Sequence, residues 1–143
     1  MKVLLKILLV LLVLPVGVLA QDDDEWPPLS YLRSDYKAVS VVAHIRIKEA
    51  EITSRIIGYE NWRIRAEVIE PFKGKFKKGD AIEYVHGAEA GFKQKYFTGE
   101  KIVFLLAERD KVRKLHYVVL ENSTLPWTEH SVKKLRVIRG RRR

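Results

Sequence analysis

Residues 61–86 alternate so regularly that the backbone has little choice. Trp62, Ile64, Ala66 and Val68 are separated by Arg63, Arg65 and Glu67. A period of two belongs to a strand with one face buried and the other in water. Pro71, Gly74, Gly79 and Asp80 then predict a connection, because proline withholds a ladder donor and glycine supplies turn geometry. Lys73, Lys75, Lys77 and Lys78 decorate it as a solvated loop. Residues 81–85 resume an apolar run, so the stretch reads strand, turn, strand. Two apolar residues adjoin at Val68 and Ile69, and a bulge there is expected to re-aim the strand, as the corners of small barrels require.

The strongest strand pattern lies just upstream. Val39, Val41, Ala43, Ile45 and Ile47 are expected on the core face, with Ser40, Val42, His44, Arg46 and Lys48 opposite. Residues 49–58 are less regular, and Gly58 marks a turn. Residues 86–99 read as a long irregular loop carrying Gly87, Gly91 and Gly99, with Phe92, Tyr96 and Phe97 interspersed by Lys93 and Lys95. Residues 102–107 are apolar on both faces, as in a strand covered on both sides. Arg109, Asp110 and Lys111 make a polar turn, and residues 115–120 return as the partner strand. Short helices flank the strands. One is expected over residues 30–37, with Ser30 as cap and Leu32 and Tyr36 on one face. The other is capped by Thr128, carries an apolar stripe of Val132, Leu135, Val137 and Ile138, and stops at Gly140. Glu129 and the late arginines suit its dipole. About five strands of uneven length, one sharply bent, predict a mainly β fold: a five-stranded OB-type barrel rather than a β-sandwich, which wants more strands at regular spacing.

The ends carry a different message. Lys2 and Lys6 precede an apolar run, Pro15 and Gly17 break it, and Val18-Leu19-Ala20 is a small-residue cleavage pattern. Residues 1–20 therefore read as a bacterial-type signal peptide cut before Gln21; the rival reading is an uncleaved membrane anchor, for which the apolar stretch is at the short end of the roughly 20 residues a span needs. The rest divides into an acidic, proline-bearing linker (21–29), the barrel domain (30–138) and a basic tail (139–143). The chain should be secreted or held in the cell envelope. It contains no cysteine, so core packing alone must hold a small exported domain, and thiol catalysis, iron–sulfur clusters and cysteine-bound zinc are excluded. Formal charge is +9, and +11 on residues 30–143 once the lysines of the leader and Asp22, Asp23, Asp24 and Glu25 are set aside.

Three phrases resemble one family. Trp62, Ile64, Ala66, Val68, Glu70, Lys73 and Gly74, followed by Lys78-Gly79-Asp80, are similar to the strand-turn-strand signature of tissue-inhibitor-of-metalloproteinase-like, or netrin-type, modules. Phe97-Thr98-Gly99-Glu100-Lys101-Ile102-Val103-Phe104-Leu105 resembles the phrase before their fourth strand. Ser34-Asp35-Tyr36-Lys37-Ala38-Val39 resembles their entry into the first. The resemblance spans roughly residues 30–120 and implies an OB-type barrel in an exported protein. It does not carry inhibition over. Those inhibitors place a disulfide-tethered N-terminal cysteine on the target's zinc, and this chain has no cysteine to place.

Reactive constellations are not evident. His44, His86, His116 and His130 do not pair at zinc-motif spacings. No metal site or cofactor is expected, and His86, near Glu89, is the residue to examine first. Ser40, Ser54, Ser123 and Ser131 lack a nucleophile elbow. Glu67, Glu70 and Glu83 are expected to be solvent-side partners of Arg63, Arg65 and lysines. Asn122-Ser123-Thr124 matches a glycosylation acceptor, a chance match behind a bacterial-type leader. The candidate binding residues are Arg46, Lys48, Arg63 and Arg65, a positive patch if their strands are neighbours, together with Phe92, Lys93 and Tyr96 of the loop. The expected function is that of a non-enzymatic, monomeric interaction module whose partner is another protein or an anionic surface such as lipid headgroups or acidic polysaccharide. The alternative is an OB-type nucleic-acid-binding domain, disfavoured by export and by Trp62 on the inward face.

Overall fold

The computed structural model describes residues 25–141, with backbone alone at 121–122. The expected leader (1–20), the acidic run 21–24 and the last two arginines lie outside the described residues. The order is α1 (Leu29–Ala38), β1 (Val41–Ile56), β2 (Tyr59–Lys73), β3 (Ala81–Glu89), a single 3-10 turn at Gln94–Tyr96, β4 (Glu100–Arg109), β5 (Leu115–Pro126) and α2 (Glu129–Gly140). The strands close in the order β1-β2-β3-β5-β4. All neighbours run antiparallel except β3 and β5, which meet in parallel at the single pair Val85 and Val118. This is the mainly β, five-stranded, OB-like barrel that the alternation predicts, with a short helix at each end.

Two apolar layers hold it together. Inside the barrel, Ala43, Ile45, Ile64, Val68, Tyr84, Val103 and Leu105 pack around the axis. Outside, α1 and α2 lay Leu32, Tyr36, Val132, Leu135 and Ile138 against Val42, Phe72, Ile102 and Phe104. The doubly apolar run 102–107 is thereby explained, since Val103 and Leu105 face in while Ile102 and Phe104 face the helices. The same helices correct the reading of β1. Val42 and His44 do point outward, but both are buried, because the outer layer covers that end of the strand.

The bends fall where irregular pairing leaves a residue unmatched. On β2, Ile69 is passed over between the pairs His44–Glu70 and Ile45–Val68, which is the bulge expected at Val68-Ile69. Phe72 is passed over a few residues later, and Lys48 and Thr53 on β1. Each extra residue sharpens the local twist and coils the long hairpin around the barrel. Pro71 is in β2 rather than in the turn. Its missing donor is tolerated beside the bulge, where the ladder is already broken.

Several boundaries differ from expectation. β1 runs on to Ile56, because cross-strand pairs with β2 support residues whose own periodicity is weak. β3 runs through Glu89, so the irregular connection starts later than residue 86. Ser30 does not cap α1; the helix begins at Leu29 with Pro28 at the cap position and no side-chain cap bond. Thr128 does cap α2, its hydroxyl accepting from the Ser131 N–H at 3.1 Å. Val137 is exposed, since helical spacing rotates it off the face shared by Val132, Leu135 and Ile138. Gly140 is the last helical residue, and Arg141, itself in a helical conformation, takes the cap position. Arg139, assigned by sequence to the tail, belongs to α2 and donates to the Pro71 carbonyl at 2.9 Å.

Candidate functional site

The strands bearing Arg46, Lys48, Arg63 and Arg65 are neighbours, as the patch required. The patch is nevertheless not a bare positive surface, because every cation has a carboxylate. Arg46 donates to Glu100 at 2.6 Å, and the other Glu100 oxygen meets His44 Nε2 at 2.7 Å. Lys48 pairs with Glu67 at 2.9 Å, and Arg63 with Glu51 at 3.0 Å. Arg65 bridges Glu49 and Glu83, each at 2.9 Å. The Arg46 hydrogen bond, then that of His44, holds the Glu100 carboxyl below the usual carboxylate range; Lys48 does the same to Glu67. The bonds to Glu83 and Glu49 raise the Arg65 guanidinium. Cross-strand spacing brings these opposite charges together on the solvent face. The expected pairing of Glu67 and Glu83 with cations is thus present. Glu70 is bound instead by α2, with Arg136 donating in bidentate fashion at 2.7 and 3.0 Å.

Phe92, Lys93 and Tyr96 lie on a different part of the molecule, the connection from β3 to β4. Its aromatic residues form a chain of rings: Phe92 to Tyr96 at 4.8 Å, Phe92 to Phe97 at 5.3 Å, Phe97 to Trp62 at 4.9 Å. Phe97 is buried and anchors the connection, while Phe92 and Tyr96 remain exposed. Gln94 fastens the turn to β1 by donating to the Ala50 carbonyl at 2.8 Å.

This connection forms one wall of a cleft of about 810 Å³. The opposite wall comes from β5 at Val119, Thr124 and Pro126, and the floor from β3 at Tyr84, His86 and Ala88. Topology creates the opening: β3 and β5 touch at Val85 and Val118 and then diverge. Tyr59 of β2 closes one side. Its ring lies over Gly87, where a Cβ would come within 3.0 Å of Tyr59 Cε1. Two buried polar atoms at this cleft, His86 Nδ1 and Thr124 Oγ1, have no hydrogen-bond partner among the described residues. Orphaned buried polar atoms are uncommon and call for a bound group or water. Burial lowers the His86 imidazole pKa, which keeps the ring neutral at neutral pH, and burial raises that of the Tyr84 phenol. The cleft therefore offers aromatic faces and uncharged hydrogen-bonding groups, with Glu89 and Lys101 as its charges.

Sequence reading singled out Phe92, Tyr96 and His86 but missed Tyr59, Tyr84 and Thr124. Tyr84 carried a signal, being a hydroxyl-bearing residue on the inward face of an otherwise aliphatic strand. Tyr59 and Thr124 carried none, since their placement depends on how β3 and β5 part. No group of three or more metal-ligating side chains stands together among the described residues. No helix among them is long and apolar enough to cross a membrane. No protein-family model matches the chain, and comparison with curated proteins finds no relative.

Proposed function

We propose that this chain is an exported, non-catalytic binding module that engages its partner through the aromatic cleft between β3, β5 and the β3–β4 connection. One observation carries the reading: the cleft joins exposed aromatic faces to the orphaned His86 Nδ1 and Thr124 Oγ1, whereas the cations of the strand face are already paired. An aromatic-lined recess with a few uncharged polar groups is suited to an apolar or aromatic anchor of a protein partner. The closed barrel is compatible with a scaffold of the metalloproteinase-inhibitor-like type, and the cysteine-free sequence sets the inhibitory mechanism of that group aside. The test is a photo-crosslinking amino acid placed at position 96 or at position 65 in the exported protein. Adducts at 96 and none at 65 are expected. Adducts at 65 alone would transfer the site to the strand face and overturn the assignment.

The second reading, a nucleic-acid-binding barrel, draws on the Phe92–Tyr96 ring pair beside Lys93 and Lys95. Stacking with phosphate contacts would give affinity for single strands that falls steeply with salt. Oligonucleotide titration across a salt series tests it, and affinity lost near physiological salt removes it.

A further inference from the structure

The β1–β2 hairpin ends in an unusual way. Its two-residue turn is Ile57-Gly58, with Gly58 alone at positive φ (80°). Such turns normally carry asparagine, aspartate or glycine, which adopt the geometry and keep the tip in water. Here Ile57 is fully exposed, Ile56 is 68% exposed and Tyr59 48%. A β-branched apolar pair in water at the outermost point of a hairpin costs solubility and contributes nothing to the core. The tip is also firmly held. β3 extends alongside it through the pair Tyr59–Glu89, and the Ala90 N–H donates to the Gly58 carbonyl at 3.1 Å.

That last bond places the β3–β4 connection next to the tip, and with it exposed Phe92 and Tyr96. Lys93 and Lys95 belong to this end, and among the described residues no carboxylate pairs with either. Arg55 pairs with Glu60 at 3.1 Å and Arg63 with Glu51 at 3.0 Å, which leaves Glu89 as the unpaired carboxylate of this end among the described residues. The end therefore combines an aliphatic point, a belt of Tyr59, Phe92 and Tyr96 behind it, and lysines in excess over acids. Aliphatic tip, aromatic girdle and basic rim is the sequence of chemistries met on passing from the acyl region of a bilayer through its interface to an anionic headgroup layer.

We propose that the Ile56–Ile57 tip inserts into the interface of a bilayer containing anionic lipid, with Tyr59, Phe92 and Tyr96 at headgroup depth and Lys93 and Lys95 against the phosphates. The surface would orient the cleft toward the membrane plane. It goes beyond the cleft reading and does not depend on it, since lipid binding is measured without any protein partner.

The test is co-sedimentation of the purified protein with vesicles of phosphatidylcholine alone or with about one third phosphatidylglycerol, beside Ile57→Asp and the double variant Lys93→Gln/Lys95→Gln. Any leader retained after purification is common to all three, so their differences report the tip and its rim. Binding to the anionic vesicles is expected, weaker by at least about tenfold for Ile57→Asp. The lysine pair should cost about 30-fold, from about 1 kcal/mol per lysine near an anionic surface, and high salt should mimic that loss. Ile57→Trp should show, relative to the wild-type emission of the native tryptophans, an added shift to the blue on anionic vesicles alone. The altered residues are exposed, so thermal melting should be unchanged. Equal binding by wild type and Ile57→Asp overturns the proposal. So does binding to heparin with none to vesicles, which would assign the end to acidic polysaccharide.

Discussion

Tyr59 occupies the space that Gly87 leaves empty, and that one exchange shapes the cleft. Gly87→Ala places a methyl group within 3.0 Å of the Tyr59 ring, whose outer edge is free to swing. The substitution should cost under about 1 kcal/mol in stability yet displace the ring, seen as altered Tyr59 ring shifts by NMR and weaker partner crosslinking from position 96. Thr128 acts at the same scale. Its hydroxyl satisfies the Ser131 N–H at the start of α2, so Thr128→Ala should lose about 1 kcal/mol in chemical denaturation. Tyr36 is a buried example: its hydroxyl donates to the Phe72 carbonyl at 2.6 Å, joining α1 to β2. Tyr36→Phe removes that buried bond and should cost about 1 kcal/mol by the same measurement.

Helix α2 is the element on which the outer layer depends. Leu135 is fully buried against the strands, and Leu135→Ala should cost about 2–5 kcal/mol, depending on how far the layer collapses into the space. The helix is also held by charge. Arg136 bonds Glu70 in bidentate fashion and Arg139 lies 3.5 Å from it, a pairing that holds the Glu70 carboxyl below the usual range. A carboxylate lowered in the folded state contributes stability above its unfolded pKa and loses it as pH falls through the folded value. Wild type should therefore melt above Glu70→Gln at neutral pH, by about 1 kcal/mol for a partly exposed bidentate pair. The two curves should converge in acid, below the ordinary carboxylate range. A gap that persists in acid would mean that the amide disturbs packing rather than charge. Lys134 adds a further tie, donating to the Glu25 and Pro27 carbonyls at 3.1 Å each, so the residues before α1 are fastened to α2.

At the scale of the whole molecule the barrel has one weak seam. β1 and β2 pair along almost their full lengths, while β3 meets β5 at a single parallel pair. Amide exchange should be slowest along residues 43–47 and 64–68 and faster at Val85 and Val118, on the seam. Saturating the cleft with a partner should slow exchange at that seam more than in the β1–β2 hairpin.

How much of this was legible follows from the range of the forces. Period-two burial is a local pattern, so the alternation of 39–48 and 62–68 was sufficient for strands, and Val68-Ile69 for the bulge. Thr128, Leu32 and Tyr36 were readable for the same reason, each being a short-range helix signal. The cations were found too, and Glu67 and Glu83 among their partners, but not Glu49 and Glu51, which reach Arg65 and Arg63 only through cross-strand register. The cleft was less visible still. It exists where β3 and β5 diverge, and it joins Tyr59, Tyr84 and Thr124, which are distant along the chain. Sequence alone thus determined which residues must be hidden from water and, from their spacing, that strands would close into a cysteine-free barrel. Tertiary structure alone decided which hidden face lies inside the barrel and which beneath the helices, which charges cancel, and where two strands part to leave a recess. Those outcomes rest on contacts between distant segments, and no local periodicity encodes them.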